Sequence, residues 1–270
     1  QLPKLRLITT RSTGFDHIDL ITASKKGIVV CNIPDYGSRT VAEHTILLLL
    51  AIMRRLPLAR APIESGRFSL EGLLGFDMSG KTLGVVGTGL IGGEVARMAR
   101  CLGLRTIGFD PQPIPGKVDQ YVTLESLFSE SDAIAICCPL SPQTRHMIGR
   151  EEFRMMKRGV FIVNTARGAI IDSSALLNAL ESGHVACAGL DVLEREDLMR
   201  IGANALNQYS MTEEEKAIVS INLRLMKHPN VLVTPHMAFY TQEARQRIRT
   251  QTVENILSFL KGKPIRVVNQ

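Results

Sequence analysis

A chain of 270 residues with 45% hydrophobic and 21% charged side chains has the composition of a globular protein and is long enough for two domains. Its formal net charge of +6 comes from scattered Lys and Arg residues, with no basic run longer than a pair and no Trp, which argues against nucleic-acid binding. The longest apolar run, residues 45–53, is shorter than the roughly 18 residues needed to cross a bilayer, so we expect no membrane partner.

The five cysteines form no Cys-x-x-Cys pair and lie mostly in apolar stretches, where a thiol packs as a small hydrophobic side chain. This usage is typical of a reducing compartment, so we expect a cytoplasmic protein. We predict no metal site.

The first 60 residues contain elements that cannot form a domain alone. The predicted elements are a strand over residues 5–10, a helix over 17–27, a strand over 28–32 and a helix from Thr40 to Arg60. Two strands and one crossover helix cannot bury a sheet, so this piece must pack on something else or belong to a larger domain. Because the chain opens on Gln1 within a strand-like run, we expect a preceding segment to be missing.

From residue 82 to residue 192, short apolar runs alternate with helical periods. The runs are rich in Val, Ile and Ala and lack polar alternation, which is typical of strands buried on both faces. Strands of this kind alternating with helices predict a doubly wound α/β domain built on a parallel sheet.

The last part of the chain is less regular. Residues 195–229 are polar and weakly periodic, with a helix predicted over 212–226, and the sequence leaves open whether this segment forms a lid. Residues 241–263 predict a final helix that packs on the N-terminal piece. Its expected apolar face consists of Ile248, Val253, Ile256, Leu257 and Leu260.

A glycine-rich turn follows the first strand of the predicted α/β domain. Gly87, Gly89 and Gly92 lie between a strand-like run and a helix, the context in which G-x-G-x-x-G binds a dinucleotide diphosphate. Asp110 ends the next strand, 18 residues after Gly92, where a carboxylate would bind the adenosine ribose and repel a 2′-phosphate. No Arg follows before Lys117, so NAD is favoured over NADP. The alternative is a glycine turn in a domain that binds nothing.

Polar side chains follow three later strands of the same domain. They are Arg167 in "VNTARG", Asp191 with Glu196 in "AGLDVLERED", and His236 in "VTPHMAF". Each has an ordinary structural explanation, as a surface arginine, a capping acid or a structural histidine. Because reacting ligands lie beyond the carboxyl ends of parallel strands, their shared position at one edge of the sheet indicates a site.

Six segments occur in a characteristic order: "RSTGFDHIDL", "YGSRTVAEHT", the glycine signature, "NTARGAIID", "GLDVLERE" and "TPH". In this order the chain resembles the D-isomer-specific 2-hydroxyacid dehydrogenase family along essentially its whole length. Within the family, "MAFYTQEA" and the long segment after Glu196 look most like D-lactate dehydrogenases.

The resemblance implies NAD-dependent reduction of a small 2-oxo acid to its D-2-hydroxy acid. His236 matches the family's proton donor, and Glu196 matches the carboxylate that stabilises the charged imidazole and orients it. Arg167 matches the substrate arginine, whose planar fork holds the α-carboxylate and polarises the carbonyl. Asp191 falls where the family contacts the nicotinamide carboxamide.

Further residues are assigned by the same resemblance. The full cofactor set is Gly87, Gly89, Leu90, Ile91, Gly92, Asp110, Pro139, Thr165, Ala166 and Asp191. The substrate set is Arg167 together with Ser12, Thr13 and Gly14, whose backbone amides match a carboxylate-binding turn. From the residues alone, a simple strand-to-helix connection is the better interpretation of that turn.

The resemblance also implies the organisation of the chain. Residues 1–38 with 239–270 correspond to a truncated flavodoxin-like substrate domain, of which about half is absent, and residues 39–238 to a Rossmann NAD-binding domain. The helix predicted from Thr40 to Arg60 is apolar on more than one face, and the family uses the corresponding helix for dimerisation. We therefore expect a homodimer through residues 41–55.

Two other functions remain open. An incomplete substrate domain would suit an NAD-binding corepressor-like protein, or an inactive truncated relative that binds NAD without turnover. Oxidation of formate or phosphite is a third possibility, but formate enzymes pair the histidine with glutamine where this chain has Glu196. The sequence does not determine which 2-hydroxy acid is the substrate.

Overall fold

The computed structural model describes residue 2, residues 4–200 and residues 211–269. Its strands are β1 (Leu7–Thr9), β2 (Val29–Cys31), β3 (Thr82–Val86), β4 (Arg105–Phe109), β5 (Gln120–Tyr121), β6 (Ala133–Ile136), β7 (Val160–Asn164), β8 (Val185–Leu190) and β9 (Val231–Val233). Its helices are α1 (Leu20–Lys25), α2 (Ser38–Met53), α3 (Leu56–Glu64), α4 (Leu90–Cys101), α5 (Leu124–Glu130), α6 (Arg150–Met155), α7 (Ser173–Glu181), α8 (Glu196–Arg200), α9 (Glu213–Lys227) and α10 (Gln242–Leu260), with a 3₁₀ turn at Gly168–Ile170.

The chain divides into two compact units. The larger unit is Val41–Ala238, and the smaller consists of Gln1–Thr40 and Phe239–Gln270.

The larger unit contains a seven-stranded parallel sheet in the order β5-β4-β3-β6-β7-β8-β9. The chain runs outward from β3 to β5, then crosses to β6 on the other side of β3 and continues to β9. The prediction of a doubly wound parallel sheet is confirmed. Ligands of such sheets bind at the carboxyl ends of the strands beside the point where the order reverses, which here lies between β3 and β6.

Side chains of the central strands enter two separate apolar clusters. Ile134 and Ile136 of β6 belong to the cluster that includes residues of α5, α6 and α7. Ala133 and Ala135 belong to the cluster that includes α2 and α4. Successive strand residues point to opposite faces, and both faces are covered, so β6 is apolar at every position.

The smaller unit is built on two short strands. β1 and β2 pair in parallel, and Val267 forms an antiparallel bridge with Cys31. Asn255 of α10 is fully buried. Its side-chain Nδ2 donates to the carbonyl of Asn32 at 3.0 Å, and its Oδ1 accepts from Nη1 of Arg266 at 3.0 Å. Residues from both ends of the chain therefore form one unit.

The single helix predicted from Thr40 to Arg60 is wrong, since the structure has α2 and α3 instead. α2 ends at Met53, and Arg55 has a left-handed φ of 54°. Pro57 explains the break, because its ring would clash with the carbonyl of the residue four positions earlier, Met53. That carbonyl instead accepts a hydrogen bond from the amide of Phe76 at 2.9 Å.

The predicted apolar face of the last helix is also largely wrong. Of its five residues only Ile248 is buried, with Ala244 and Asn255 as its buried neighbours on α10. The other four, Val253, Ile256, Leu257 and Leu260, are exposed. A sheet of two three-residue strands covers only a narrow strip of a helix, and part of that strip is taken by the hydrogen-bonded Asn255.

Two sequence expectations concern long segments. In the part of the chain that the structure describes, no helix combines the length and apolar character that a membrane crossing requires. The segment 195–229 contains α8 and α9, but residues 201–210 lie outside the described residues, and the question of a lid falls partly on them.

Candidate active site

The turn between β3 and α4 has the geometry of a diphosphate site. Gly87 has φ 86°, and a Cβ there would lie 2.6 Å from the amide nitrogen of Cys138. A Cβ on Gly92 would lie 1.9 Å from the carbonyl oxygen of Gly87, so only glycine allows α4 to start this close to the strand. A Cβ on Gly89 would meet nothing within 4 Å, and no side chain caps the helix. An anion can therefore approach the first amides of α4, and the turn fits a dinucleotide.

Asp110 lies beside this turn, directly after β4. Its Oδ2 accepts from the amide of Thr88 at 2.7 Å, and its Oδ1 accepts from the amide of Gln112 at 2.9 Å. These bonds hold a negative charge at the carboxyl end of the strand. The position suits a ribose diol and opposes a 2′-phosphate, in agreement with a preference for NAD.

The other predicted cofactor residues lie at the same edge of the sheet. Leu90 and Ile91 begin α4, Pro139 follows β6, and Thr165 and Ala166 follow β7. Thr165 is buried and its hydroxyl lies 2.8 Å from that of Thr45 on α2. The amide of Ala166 donates to Oδ1 of Asn164 at 3.0 Å.

His236 and Glu196 meet in the structure. Nδ1 of His236 lies 2.5 Å from Oε1 of Glu196, and both side chains are about a quarter exposed. With Nδ1 facing the carboxylate, Nε2 lies on the opposite side of the ring, where it could exchange a proton with a substrate oxygen. His236 has a backbone φ of 53°, in the left-handed region that residues other than glycine rarely adopt.

Arg167 lies on the loop after β7, next to the loop that follows β8. The carbonyl of Arg167 accepts from Nδ2 of Asn164 at 2.9 Å, and its own Nη1 donates to the carbonyl of Ala166 at 2.8 Å. A Cβ on Gly168 would lie 2.0 Å from the backbone of Leu193. The arginine loop therefore packs closely on the segment that leads to Glu196. That Gly168 allows this close packing was not predicted from the sequence. The position of the glycine directly after Arg167 was the available signal.

Asp191 directly follows β8 and is almost fully buried. Its Oδ1 accepts from the hydroxyl of Thr234 at 2.6 Å and from the amide of Met237 at 2.8 Å, while Oδ2 accepts from the amide of Ala238 at 2.9 Å. Burial alone raises the pKa of this carboxyl, but hydrogen bonds from His44, Thr234 and the two amides outweigh it, so the pKa lies below its ordinary value. Asp191 is therefore ionised at neutral pH. Its contact with the nicotinamide stays a prediction.

The turn of Ser12, Thr13 and Gly14 lies between β1 and α1 in the smaller unit. The hydroxyl of Ser12 donates to the carbonyl of Gly14 at 2.6 Å, and that of Thr13 donates to the carbonyl of Ile33 at 3.1 Å. The side chains thus stabilise the turn itself. A role in binding substrate would fall to backbone amides, as the resemblance implies.

A second acid, Glu194, lies two residues before Glu196, and no sequence pattern singled it out. Glu194 is buried, and its Oε1 accepts from Nε2 of His146 at 2.7 Å and from Arg145 at 3.3 Å. Its carbonyl accepts from Nδ2 of Asn222 at 2.7 Å. These bonds anchor the segment two residues before Glu196. The sequence does not distinguish Glu194 from Glu196, because their difference in burial appears only in the folded structure.

The cysteines near the site are protonated thiols. Cys137 and Cys138 follow β6, and burial raises the pKa of Cys138 to about 11 and that of Cys137 further. All five cysteines are unpaired. Within the described ranges, no group of three or more His, Cys, Asp or Glu side chains could hold a metal ion.

Comparisons with known proteins agree with this geometry. The sequence profile described as "D-isomer specific 2-hydroxyacid dehydrogenase, NAD binding domain" matches residues 46–238. D-lactate dehydrogenase of Escherichia coli strain K12 is 38% identical over 265 residues, which cover 96% of this chain and 77% of that protein. Glycerate dehydrogenase of Methylorubrum extorquens is 36% identical, with 99% of this chain and 80% of that protein covered.

A solved structure gives the same result. The crystal structure of D-lactate dehydrogenase from Aquifex aeolicus in complex with NAD and lactic acid superposes with a TM-score of 0.91 at 36% identity, covering 99% of this chain and 81% of that one. A profile match over most of the chain, relatives above 30% identity and a dinucleotide turn of the required shape lead to one conclusion. The chain belongs to the D-isomer-specific 2-hydroxyacid dehydrogenases, a family of NAD-dependent enzymes.

Proposed function

We propose that this enzyme interconverts a small 2-oxo acid of the pyruvate type and its D-2-hydroxy acid, with His236 as the acid and base. The observation that carries the proposal is the 2.5 Å contact between Nδ1 of His236 and Oε1 of Glu196. Both residues follow strands of the sheet whose carboxyl edge carries the dinucleotide turn. The names of two relatives, a D-lactate and a glycerate dehydrogenase, support small 2-hydroxy acids as substrates.

In the direction of reduction, His236 donates a proton from Nε2 to the carbonyl oxygen on C2. NADH, when bound, would supply a hydride to C2; with the proton from His236 the carbonyl gains one hydride and one proton, which gives the hydroxy acid and NAD⁺. Glu196 stabilises the charged imidazole and holds its Nδ1, which orients Nε2 toward the substrate. In the reverse direction the neutral imidazole accepts the hydroxyl proton.

Arg167 binds the substrate carboxylate in this proposal. Its guanidinium presents two parallel donors to a carboxylate and also polarises the adjacent carbonyl. We propose a carboxylate-binding role for the backbone amides of Ser12, Thr13 and Gly14 as well. We propose further that residues 1–38 with 239–270 are part of the substrate domain and that residues 39–238 form the NAD domain, in which Gly87, Gly89 and Gly92 hold the diphosphate and Asp110 the ribose.

A substrate panel tests the proposal. NADH oxidation is followed with pyruvate, hydroxypyruvate, glyoxylate and phenylpyruvate, and the reverse reaction with D- and L-lactate. We expect turnover of at least one small oxo acid, no reaction with the L-isomer, and loss of turnover in His236→Asn with NADH binding retained. Saturable NADH binding without oxidation by any oxo acid would contradict the proposal and favour an NAD-binding protein without turnover.

We also propose a homodimer formed through α2 and the residues that follow it. Leu47 and Leu50 of α2 are exposed although other residues of the helix are buried against the sheet. Phe68, Leu70 and Leu74 are almost fully exposed on the segment after α3. An apolar surface of this kind supports burial against a second copy. The unpaired thiols support a reducing location, and we propose the cytoplasm.

A further inference from the structure

His44 of α2 contacts Thr234 and Asp191, two residues next to the turn that contains the proposed acid and base, His236. Its side chain is about one tenth exposed, and its Nε2 lies 3.1 Å from Oγ1 of Thr234 and 3.5 Å from Oδ1 of Asp191. His44 has no place in the proton transfer assigned to His236. A buried, titratable side chain in this position calls for a physical explanation.

The geometry determines the direction of the hydrogen bonds. Thr234 has one hydroxyl proton, and its oxygen lies 2.6 Å from Oδ1 of Asp191, a carboxylate that can only accept. The hydroxyl therefore donates to Asp191 and accepts from His44, so Nε2 of His44 carries a proton. A chain of bonds runs from the ring of His44 through the hydroxyl of Thr234 to the carboxylate of Asp191.

Asp191 in turn holds the turn on which His236 lies. The carbonyl of Asp191 accepts from the amide of His236 at 2.8 Å, and its carboxylate accepts from the amides of Met237 and Ala238. The backbone amides of residues 236, 237 and 238 therefore all donate hydrogen bonds to Asp191. His236 has its left-handed backbone in this turn, a conformation that persists only where neighbouring bonds maintain it.

We propose that His44 is a positioning residue: through Thr234 and Asp191 it fixes the turn at residues 236–238 and thereby the direction of the His236 imidazole. The consequence for the reaction rests on the proposed function of His236, but the consequence for the turn does not. His44 orients the Asp191 carboxylate, because it donates to the Thr234 hydroxyl that in turn donates to this carboxylate. Removal of that donor removes the bond that orients the Thr234 hydroxyl from the side of α2, and this loosens one side of the turn.

The variants His44→Leu and His44→Gln separate this role from simple packing. Leucine fills space without a donor, whereas glutamine presents an amide near the position of Nε2. His184→Leu is the matched control. This half-buried histidine donates from Nε2 to the carbonyl of Met156 at 3.0 Å, and it precedes β8, at the opposite end of the strand from Asp191. If His44→Leu does not fold, Thr234→Val removes the same link.

Two measurements on the full chain are compared. We expect kcat for the oxo acid to fall roughly tenfold to a hundredfold in His44→Leu, with the NADH dissociation constant changed less than about threefold. Glutamine should restore most of kcat. We expect amide hydrogen exchange in the peptide covering residues 234–238 to be roughly tenfold faster in His44→Leu and unchanged in His184→Leu.

The exchange measurement distinguishes the two proposals. Unchanged exchange in His44→Leu would overturn the positioning role whatever the activity, and so would a loss of kcat that glutamine does not restore. Faster exchange in a protein whose wild type reduces no oxo acid would leave the positioning of the turn supported and reject the proposed reaction alone.

Discussion

Oε1 of Glu196 lies 2.5 Å from Nδ1 of His236, although forty positions separate the two residues in the chain. The fold brings them together because Glu196 follows β8 and His236 follows β9, and these strands are neighbours in a parallel sheet. The hydrogen bond between the two side chains restricts the rotation of the imidazole.

The charge of Glu196 is therefore expected to matter more than its shape. In Glu196→Gln the size of the side chain is kept and the negative charge is lost, so we expect kcat for oxo-acid reduction to fall about a hundredfold. NADH binding should not change. Glu213→Gln is the control, because Glu213 is an exposed acid on α9 whose ion pair is with the exposed Lys216 on the same helix. A kcat in Glu196→Gln equal to that of the wild type would rule out the charge effect.

Most of the larger unit could be predicted from the sequence, because its signals are local. The strands β3, β6 and β7 are uninterrupted apolar runs, and the glycine turn has a fixed spacing before a helix. The helix break at Arg55 could also have been predicted from the sequence, because the ring of Pro57 inside a helix would clash with the carbonyl of Met53. The prediction failed there because the apolar pattern continued past the proline.

The supporting contacts of the site could not be predicted in the same way. Glu194 and Glu196 are both acids in one motif, and only the packing of His146 and Arg145 decides that the first is buried. His44 lies 190 positions from Thr234, and no spacing rule links a residue of a helix to a strand that far away. The face of α10 was mispredicted for a related reason, because the partner surface of a helix is not encoded in its own periodicity.

Arg167 is expected to be irreplaceable by lysine. Lysine keeps the positive charge but offers a single ammonium in place of two parallel donors. We expect Arg167→Lys to raise KM for the oxo acid and lower kcat so that kcat/KM falls at least roughly a hundredfold, with NADH affinity unchanged. The exposed Arg154, paired with Glu151 on α6, provides the control Arg154→Lys. A normal KM in Arg167→Lys would show that the substrate carboxylate binds elsewhere.

Two glycines of the dinucleotide turn are expected to respond in opposite ways to alanine. The added Cβ of Gly89→Ala meets no protein atom within 4 Å, so the protein should melt normally but bind NADH roughly tenfold or more weakly, because the methyl group occupies the approach of the diphosphate. The Cβ of Gly92→Ala meets the carbonyl oxygen of Gly87 at 1.9 Å, so the melting temperature should fall. Gly93→Ala is the control, since its Cβ meets only the flexible side chain of Lys117. Normal NADH affinity in Gly89→Ala would place the diphosphate away from this turn.

Asp191 is expected to make stability depend on pH in the acid range. Its pKa in the folded protein lies below the ordinary value of 3.8, so its stabilising bonds are fully present above about pH 4 and are lost as the pH falls through the folded value. Asp191→Asn should melt about 5–10 °C below the wild type at pH 7, and the difference should shrink below pH 4. The exposed Asp77→Asn should match the wild type throughout. A difference that stays constant from pH 7 to pH 3 would mean that folding does not lower the pKa of Asp191.

The proposed dimer is expected to depend on the exposed side chains of α2 and the segment after α3. A charge at Leu47 would remain hydrated in a monomer but would lose its water in an interface, so Leu47→Glu should shift the mass in solution from two chains to one. Met155→Glu places the same charge on a partly exposed residue of α6 and should leave the mass unchanged. Light scattering coupled to gel filtration measures both variants at several protein concentrations. A wild type that is monomeric at every concentration, or a Leu47→Glu protein with the mass of two chains, would show that this apolar surface is not the contact between copies.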